Sequence, residues 1–210
     1  MKLIGMLDSP YVRRVAISLQ LLGLRFEHQS LSVFRNFDEF SAINPVVKAP
    51  SLICDDGQVL MDSTLILEYV QALAPQRSLM PRDVAALQRE LRLIGLALAA
   101  TEKSVQMIYE RGLRPPEKLH EPWMNRVTGQ LLAAYRLLEA ELEHLPGPAS
   151  RDKLTQAGIT TAVAWHFTRQ TSPDALAEQD FPRLAAYSRA AEALPEFQAA
   201  PFGDGTYRAP

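Results

Sequence analysis

The sequence predicts a small α/β domain followed by an all-helical domain. Short apolar runs typical of strands alternate with helical patterns in the first part of the chain. A proline-flanked connector follows, and beyond it the patterns are helical, with no convincing strand. The chain of 210 residues is long enough for two small domains. The predicted boundaries are 1–75 for the first domain, 76–82 for the connector and 83–210 for the second domain.

The first domain is predicted to begin with a strand, a helix and a second strand. The apolar stretch KLIGML predicts a buried strand, and apolar residues recur at helical spacing from Pro10 until Gly23. The stretch LRFEHQSLSV predicts the second strand. A strand, a helix and a strand of this length are typical of a parallel crossover unit.

A helix, a hairpin and a last helix complete the first domain. The stretch FDEFSAINP predicts a short helix ended by Asn44-Pro45, and APSLICDDGQVLM predicts two strands joined at Asp56-Gly57. The stretch DSTLILEYVQALAP predicts a helix that is capped by Asp62 or Ser63 and ends before Pro75. The order is therefore βαβ, then a helix, then ββα.

The second domain is predicted to contain long helices with proline breaks. Pro115-Pro116 separates two long patterns, VAALQRELRLIGLALAATEKSVQMIYERGL and WMNRVTGQLLAAYRLLEAELEHL, and Pro146-Gly147-Pro148 follows the second of them. Two shorter helical patterns come next, TQAGITTAVAWHFTRQ and FPRLAAYSRAAEAL.

Charge and hydropathy argue against two classes of partner. The chain has 22 Lys and Arg residues against 24 Asp and Glu residues, without a long run of one sign, so we expect no nucleic-acid partner. No uncharged stretch approaches the roughly 20 residues of a membrane helix. The N-terminal segment lacks the apolar core of a signal peptide. We therefore expect a cytoplasmic protein without a membrane partner.

The cysteine and histidine content predicts neither a disulfide nor a metal site. The only cysteine, Cys54, lies in a predicted strand, where a free cysteine is typically a small buried side chain. The histidines show neither an H-x-x-x-H pattern nor a Cys/His ligand spacing, and they are His28, His120, His144 and His166. We expect no metal cofactor.

Three segments place polar groups at the ends of strands or helices. Ser9 opens the first helix, where its hydroxyl can cap the helix and free N–H groups favour an anion. Pro50 precedes a strand, and the local sequence alone favours a trans Ala49–Pro50 bond, whereas a cis bond would turn the Ala49 backbone toward an extended peptide-like ligand. Asp62 and Ser63 cap a helix and could also hold a group that carries an ammonium and a carboxylate.

In this order and spacing, the three segments resemble the cytosolic glutathione S-transferases, in particular bacterial members with a serine-type active site. SPYVRRV is similar to the active-site segment, VKAP to the segment with the family's cis-proline, and DS to the acidic residue and serine that hold the γ-glutamyl end of glutathione. RSLMPRD is similar to the family's linker. The resemblance covers essentially the whole chain. It implies a thioredoxin-like N-terminal domain with a mixed four-stranded sheet and an all-helical C-terminal bundle.

The resemblance also implies a catalytic role for Ser9. Its hydroxyl would donate to the glutathione sulfur and stabilise the thiolate. A free thiol has a pKa of about 8.5 and is mostly unreactive at pH 7, so the site must favour the ionised form. Arg13 lies one turn into the same helix, and we expect its side chain to be solvated.

Five further residues are implied to bind the other parts of glutathione. Ala49, beside Pro50, would offer backbone hydrogen bonds to the cysteinyl part. Lys48 could approach the glycyl carboxylate. Asp62 and Ser63 would take the γ-glutamyl amine and carboxylate. Together with Ser9, these residues form the predicted site.

The implied activity is transfer of glutathione, as co-substrate, to a small hydrophobic electrophile, a detoxification reaction. The resemblance also implies a two-fold homodimer. A glutathione-dependent isomerase, dehalogenase or peroxidase needs the same thiolate and stays open. A glutathione-binding or protein-interaction module of this fold with little turnover also stays open. A cysteine-based thiol transferase is disfavoured because position 9 is serine, and a mixed disulfide with the protein needs a sulfur.

One position in the second domain departs from the family pattern. The family usually has a Ser/Thr-x-x-Asp capping box preceded by an apolar residue. The stretch LTQAGI keeps Leu154, Thr155 and Ile159 but has Gly158 in place of the aspartate. We expect Gly158→Asp to restore a capping bond and to stabilise the fold by about 0.5–2 kcal/mol.

Overall fold

The computed structural model describes residues 1–144, 147 and 151–208. The chain divides into two compact units, Met1–Leu79 with Ala193–Pro210 and Met80–Glu192. This division differs from the predicted boundaries because the last segment of the chain packs with the first unit. Pro146 and Pro148 of the predicted break lie outside the described residues.

The first unit contains a four-stranded mixed sheet. Its elements, in chain order, are β1 (Lys2–Ile4), α1 (Pro10–Leu21), β2 (Glu27–Gln29), α2 (Phe37–Ile43), β3 (Ser51–Ile53), β4 (Val59–Met61) and α3 (Ser63–Leu73). The strand order in the sheet is β2-β1-β3-β4. The β1 strand is parallel to β2 and antiparallel to β3, which is antiparallel to β4. The predicted order of elements is confirmed.

The strands are shorter than the apolar patterns predicted. Pairing between β1 and β2 covers three residues of each strand, although the pattern for β2 was ten residues long. The backbone leaves strand geometry at Gly5, where φ is 131°. Phe26, predicted to lie in β2, stacks on Tyr207 instead, with ring centroids 4.4 Å apart. Leu31, from the same pattern, is buried in the core outside the strand.

Arg13 joins the last segment of the chain to α1. We expected its side chain to be solvated, and this was wrong, because Arg13 is only 2% exposed. Its Nε donates to the carbonyl of Ala200 at 2.7 Å, and Nη2 donates to the carbonyl of Phe197 at 3.4 Å. Its guanidinium also lies 5.6 Å from the centre of the Phe197 ring. Phe197 lies in α8 (Pro195–Ala199), a short helix that the sequence analysis did not predict.

The second unit consists of helices and short 3₁₀ turns in its described residues. The helices are α4 (Val84–Leu113), α5 (Glu121–Glu141), α6 (Gln156–Thr171) and α7 (Pro182–Glu192). They correspond to the predicted patterns. The core of this unit includes Tyr135, whose buried hydroxyl donates to the carbonyl of Ala164 at 2.8 Å. The Tyr135 ring meets Trp165 edge-on, with centroids 5.2 Å apart.

Two acceptors cap the start of α6. Thr155 Oγ1 accepts from the N–H of Gly158 at 3.2 Å, as an N-cap residue does. Glu90 Oε1, from α4, accepts from the N–H of Ala157 at 2.7 Å. Glu90 therefore supplies a negative charge at this helix start, which an aspartate at position 158 would have supplied. The side chain of Tyr187 lies in the space that a Cβ at position 158 would occupy, so on this geometry we expect Gly158→Asp to destabilise the fold rather than to stabilise it.

Three other expectations concern Cys54, metal ligands and membrane helices. Cys54 is a free cysteine and is buried, as predicted, although it lies directly after β3 rather than inside the strand. In the described part of the chain, no cluster of His, Cys, Asp and Glu suits a metal ion. The helices of residues 1–144 and 151–208 include none that is both long enough and apolar enough to cross a bilayer.

Candidate functional site

Three connections of the first unit meet at one edge of its sheet. Ile4 of β1 lies opposite Ser51 of β3, and Ser51 lies opposite Met61 of β4. The end of β1, the start of β3 and the end of β4 are therefore neighbours. The connections at this edge carry the predicted site residues, which are Ser9, Lys48, Ala49, Pro50, Asp62 and Ser63.

Ser9 is the N-cap of α1. Its backbone is extended, with φ of −70° and ψ of 121°, and its Oγ accepts from the N–H of Val12 at 3.4 Å. Pro10 occupies the first helical position, where a residue without an N–H loses no hydrogen bond. Because capping uses a lone pair of Oγ, the hydroxyl proton stays available to donate. Ser9 can therefore cap the helix and donate to a ligand at the same time.

A carboxyl group stands directly before Ser9. Burial raises the pKa of Asp8, while the backbone N–H of Ser9 and the positive charge of Arg35 act in the opposite direction. The Asp8 carboxyl is therefore harder to ionise than an exposed aspartate.

Gly5 brings the start of α1 close to the loop before β3. A Cβ at position 5 would lie 2.6 Å from Val12 Cγ2 and 3.1 Å from Ala49 Cβ. Glycine has no Cβ to clash with these neighbours, and it also adopts the positive φ at this position without strain. As a result Ala49 lies beside the first turn of the helix that Ser9 caps.

Asn44 holds the loop that carries Lys48. The Asn44 side chain is buried, its Nδ2 donates to Ser51 Oγ at 2.8 Å, and its Oδ1 accepts from the N–H of Val46 at 3.0 Å. Ser51 Oγ donates in turn to the carbonyl of Lys48 at 2.8 Å. Val47, with φ of 51°, lies in the left-handed region. Side-chain hydrogen bonds therefore fix a loop whose backbone is irregular.

The Ala49–Pro50 peptide bond is cis. The trans bond favoured by the local sequence was therefore wrong, whereas the family resemblance implied the cis form. Neither the N–H nor the C=O of Ala49 forms a hydrogen bond with any described residue. Both groups are therefore open to a ligand with complementary backbone groups.

Asp62 and Ser63 form the start of α3. Asp62 is the N-cap with φ of 72°, and its Oδ1 accepts from the N–H of Thr64 at 2.9 Å. Its Oδ2 lies 3.5 Å from Lys48 Nζ. Because these two side chains are 44% and 52% exposed, their ion pair adds little stability and can open toward a ligand.

Arg14 contacts this helix start, and the sequence analysis missed it. Arg14 is 2% exposed, and its Nη1 donates to Ser63 Oγ at 3.2 Å and to Thr64 Oγ1 at 3.4 Å. Burial lowers the pKa of Arg14 to about 10, against the opposing effect of Asp62, so the guanidinium stays charged at neutral pH. An arginine within an otherwise apolar helical pattern was the signal that could have identified it, since a buried cation needs partners.

A separate cavity of about 480 Å³ lies in the second unit. Its lining residues come from the end of α4, the start of α5 and the connection between them, and they are Glu110, Arg114, His120, Pro122, Trp123 and Arg126. The predicted site residues do not line it.

The chain is similar to known proteins both in sequence and in structure. The model of the family "Glutathione S-transferase, N-terminal domain" matches residues 3–78. A glutathione transferase family member from Pseudomonas fluorescens Pf-5, solved with bound glutathione, is 32% identical, with a TM-score of 0.82 over 100% of this chain and 98% of that chain. Its structure with bound S-(propanoic acid)-glutathione is 33% identical, with a TM-score of 0.79 over 95% and 98% of the two chains.

Two further relatives are more distant. The GST-like protein YibF of Escherichia coli (strain K12) is 27% identical over 164 residues, which are 78% of this chain and 80% of YibF. Maleylacetoacetate isomerase of Pseudomonas aeruginosa is 29% identical over 146 residues, which are 66% of this chain and 69% of the isomerase. The Pf-5 relative exceeds 30% identity over nearly its full length. The chain therefore belongs to the glutathione S-transferase family.

Proposed function

We propose that this protein binds glutathione at the described edge of the sheet and activates its thiol for attack on a small hydrophobic electrophile. The observation that carries the proposal is the meeting of three different groups at that edge. These groups are a hydroxyl donor at Ser9, open backbone groups at Ala49, and a carboxylate and a hydroxyl at Asp62 and Ser63. Glutathione offers a thiol, a peptide backbone and an α-amino acid end, one for each group.

Ser9 would carry the activation of the thiol. Its hydroxyl proton is not used in capping, so it can donate to the sulfur and stabilise the thiolate. The N-terminus of α1 adds a favourable potential for a negative charge. In the transfer reaction, the thiolate lone pair forms a bond to an electrophilic carbon, and the leaving group departs with its bonding electrons.

The remaining residues would position the tripeptide. The N–H and C=O of Ala49 would pair with the cysteinyl backbone in the manner of an added strand. Asp62 would accept from the γ-glutamyl ammonium, and Ser63 would donate to the adjacent carboxylate. Binding of the ammonium would separate Asp62 from Lys48, and Lys48 would then be free to reach the glycyl carboxylate.

A glutathione-dependent isomerase is the second candidate. The similarity to maleylacetoacetate isomerase of Pseudomonas aeruginosa supports it. An isomerase would use the same thiolate, which adds to the substrate and leaves again without net consumption of glutathione. A dehalogenase, a peroxidase and a binding module with little turnover remain further alternatives. These activities are separated by measuring glutathione consumption with alkyl halides and with peroxides, and cis–trans conversion of maleyl compounds in the presence of glutathione that is not consumed.

Calorimetric titration with glutathione and with an S-alkyl glutathione tests the proposal. The wild type should bind both ligands, and its glutathione complex should show the ultraviolet absorbance of a thiolate near pH 7. Ser9→Ala should still bind glutathione but lose that absorbance, since only the donor to sulfur is removed. Ser41→Ala, in α2, is the matched control and should behave as the wild type. Failure of the wild type to bind either ligand at millimolar concentration would refute the proposal.

We further propose a two-fold homodimer in the cytoplasm, as the family resemblance implies. Analytical ultracentrifugation should give twice the chain mass at micromolar concentration. The mass of a single chain would contradict the dimer. Fractionation of the producing cells tests the location, for which recovery in the membrane fraction would be the contrary result.

A further inference from the structure

The cavity at the junction of α4 and α5 has no role in the proposed function. Its volume of about 480 Å³ lies within the range of small-molecule sites. The helical pattern breaks at Pro115-Pro116, between the two helices. Side chains from the end of α4 and from the first turns of α5 therefore line one space.

Two arginines of this cavity have donors available for a ligand. Arg114 Nε donates to Glu110 Oε2 at 2.7 Å, in an i,i+4 ion pair that orients the guanidinium. Its Nη1 and Nη2 have no hydrogen-bond partner among the described residues. Arg126 forms neither a hydrogen bond nor an ion pair within residues 1–144 and 151–208. Because two arginines stand against one glutamate, the lining favours an anion.

An aromatic surface lies next to these cations. Trp123 stands three residues before Arg126, on the same side of α5, and is 40% exposed, whereas Trp165 is 3% exposed. Pro122 adds further apolar surface. His120 is the N-cap residue of α5, but its side chain forms no capping bond, so its imidazole can donate to a ligand. An exposed ring face beside unused cationic donors suits an aromatic ring that carries a carboxylate.

We propose that this cavity binds a small aromatic carboxylate, with the ring of the ligand on Trp123 and its carboxylate on Arg114 and Arg126. Glu110 would keep its bond to Arg114 Nε and so hold the outer nitrogens of that guanidinium toward the ligand. The N-terminus of α5 favours the same negative charge. Glutathione takes no part in this binding, so the inference is independent of the proposed function.

Nuclear magnetic resonance titration of the full chain tests the inference with naphthalene-2-carboxylate and its neutral analogue, naphthalene-2-carboxamide. The chain has two tryptophans, so the variant Trp123→Leu assigns both indole N–H signals. The carboxylate should bind the wild type with a Kd of about 0.1–1 mM and shift the signal of Trp123 but not that of Trp165. The carboxamide should bind about 10-fold more weakly, because it lacks the charge.

Calorimetric titration of variants separates the contributions of charge and ring. Arg126→Gln should weaken binding of the carboxylate about 5- to 10-fold and leave binding of the carboxamide nearly unchanged. Trp123→Leu should weaken binding of both compounds about 3- to 10-fold. Arg136→Gln is the matched control, since Arg136 is an exposed arginine of α5 that does not line the cavity. It should bind both compounds as the wild type does.

A repeat of the titration in saturating S-alkyl glutathione distinguishes the cavity from the glutathione site. The carboxylate should bind with unchanged affinity, and its displacement by S-alkyl glutathione would overturn the inference. Equal affinities of the wild type for carboxylate and carboxamide, or an unchanged preference in Arg126→Gln, would also overturn it. So would the absence of a Trp123 shift at about 5 mM carboxylate, several times the expected Kd. Failure of the wild type to bind glutathione would refute the proposed function alone.

Discussion

The hydroxyl of Tyr187 occupies the space beside Gly158, where a Cβ would lie 2.2 Å from Tyr187 Oη and 3.4 Å from its Cζ. Tyr187 is 8% exposed, so packing restricts any movement of its ring. We therefore predict that Gly158→Ala destabilises the protein by about 1–3 kcal/mol, and that Gly158→Asp also destabilises it. The midpoint of urea unfolding measures both effects.

A second substitution isolates the role of the hydroxyl. In a Tyr187→Phe background, Gly158→Ala should cost less than about 0.5 kcal/mol, because the nearest ring atom then lies at an ordinary contact distance. Gly129→Ala is the matched control, since position 129 is helical and open, and it should stabilise the fold by up to about 1 kcal/mol. Equal destabilisation by Gly158→Ala in both backgrounds would show that Tyr187 is not the cause.

Replacement of Asn44 should disturb the site without changing any ligand contact. Asn44→Ala removes the donor to Ser51 Oγ and the acceptor of the Val46 N–H, so we expect a loss of about 1–3 kcal/mol in stability. Glutathione binding should also weaken, because the loop with Lys48 and Ala49 loses its support. Calorimetry and urea unfolding measure the two effects, with exposed Asn125→Ala as the control. Unchanged affinity despite lower stability would mean that the loop keeps its shape without Asn44.

The contacts of His28 predict a dependence of stability on pH. His28 Nδ1 accepts from the N–H of Tyr207 at 3.0 Å, so Nε2 carries the proton and donates to the carbonyl of Gly5 at 2.7 Å. Burial lowers the pKa of His28 below its ordinary 6.5, although the Gly5 carbonyl acts in the opposite direction. As the pH falls, His28 therefore takes up a proton in the unfolded chain before it does so in the folded chain. The stabilisation that neutral His28 gives to the folded chain is complete above about pH 6.5 and is lost as the pH falls below that value.

Unfolding at a series of pH values checks this prediction. As the pH is lowered from about 7.5 to about 5.5, an interval that spans the ordinary pKa of histidine, the wild type should lose more stability than His28→Gln. The glutamine of this variant does not titrate in that interval. Protonation of Nδ1 also removes the acceptor of the Tyr207 N–H, so hydrogen exchange at that amide should increase beyond its intrinsic pH dependence. Parallel pH profiles for the two proteins would contradict the assignment.

Arg13 should contribute to stability rather than to catalysis. Arg13→Met leaves the carbonyls of Phe197 and Ala200 without their donor, and we expect a loss of about 1.5–3 kcal/mol. Exposed Arg25→Met is the control and should change stability by less than about 0.5 kcal/mol. A stability loss no larger than that of the control would show that the contacts of Arg13 are unimportant.

The order of elements in the first unit was predictable because its signals are local. Pro10 and the capping residue Asp62 each mark the start of a helix, and the Asp56-Gly57 pair marks the turn between two strands. Strand lengths were not predictable, since they depend on the conformation of Gly5 and on pairing across the sheet. The five residues of α8 are too few for a helical periodicity.

The site was only partly predictable for a similar reason. The resemblance assigned roles to Ser9 and the other predicted residues, because those residues stand in recognisable motifs. The sequence did not show that Arg13 and Arg14 have different partners, since both lie in the same helical pattern. Successive residues of a helix point about 100° apart, so one arginine meets α8 and the other meets α3. Their partners lie 187 and 49 positions further along the chain.

The contacts of Arg13 also have a consequence for biosynthesis. The ribosome makes β1 to α3 first, but the carbonyls that satisfy this guanidinium emerge 184 and 187 residues after it. The second unit, Met80–Glu192, is one uninterrupted segment and has all its residues available earlier. Although domains generally fold in the order of their synthesis, the first unit can complete its interior only after the whole second unit has been synthesised.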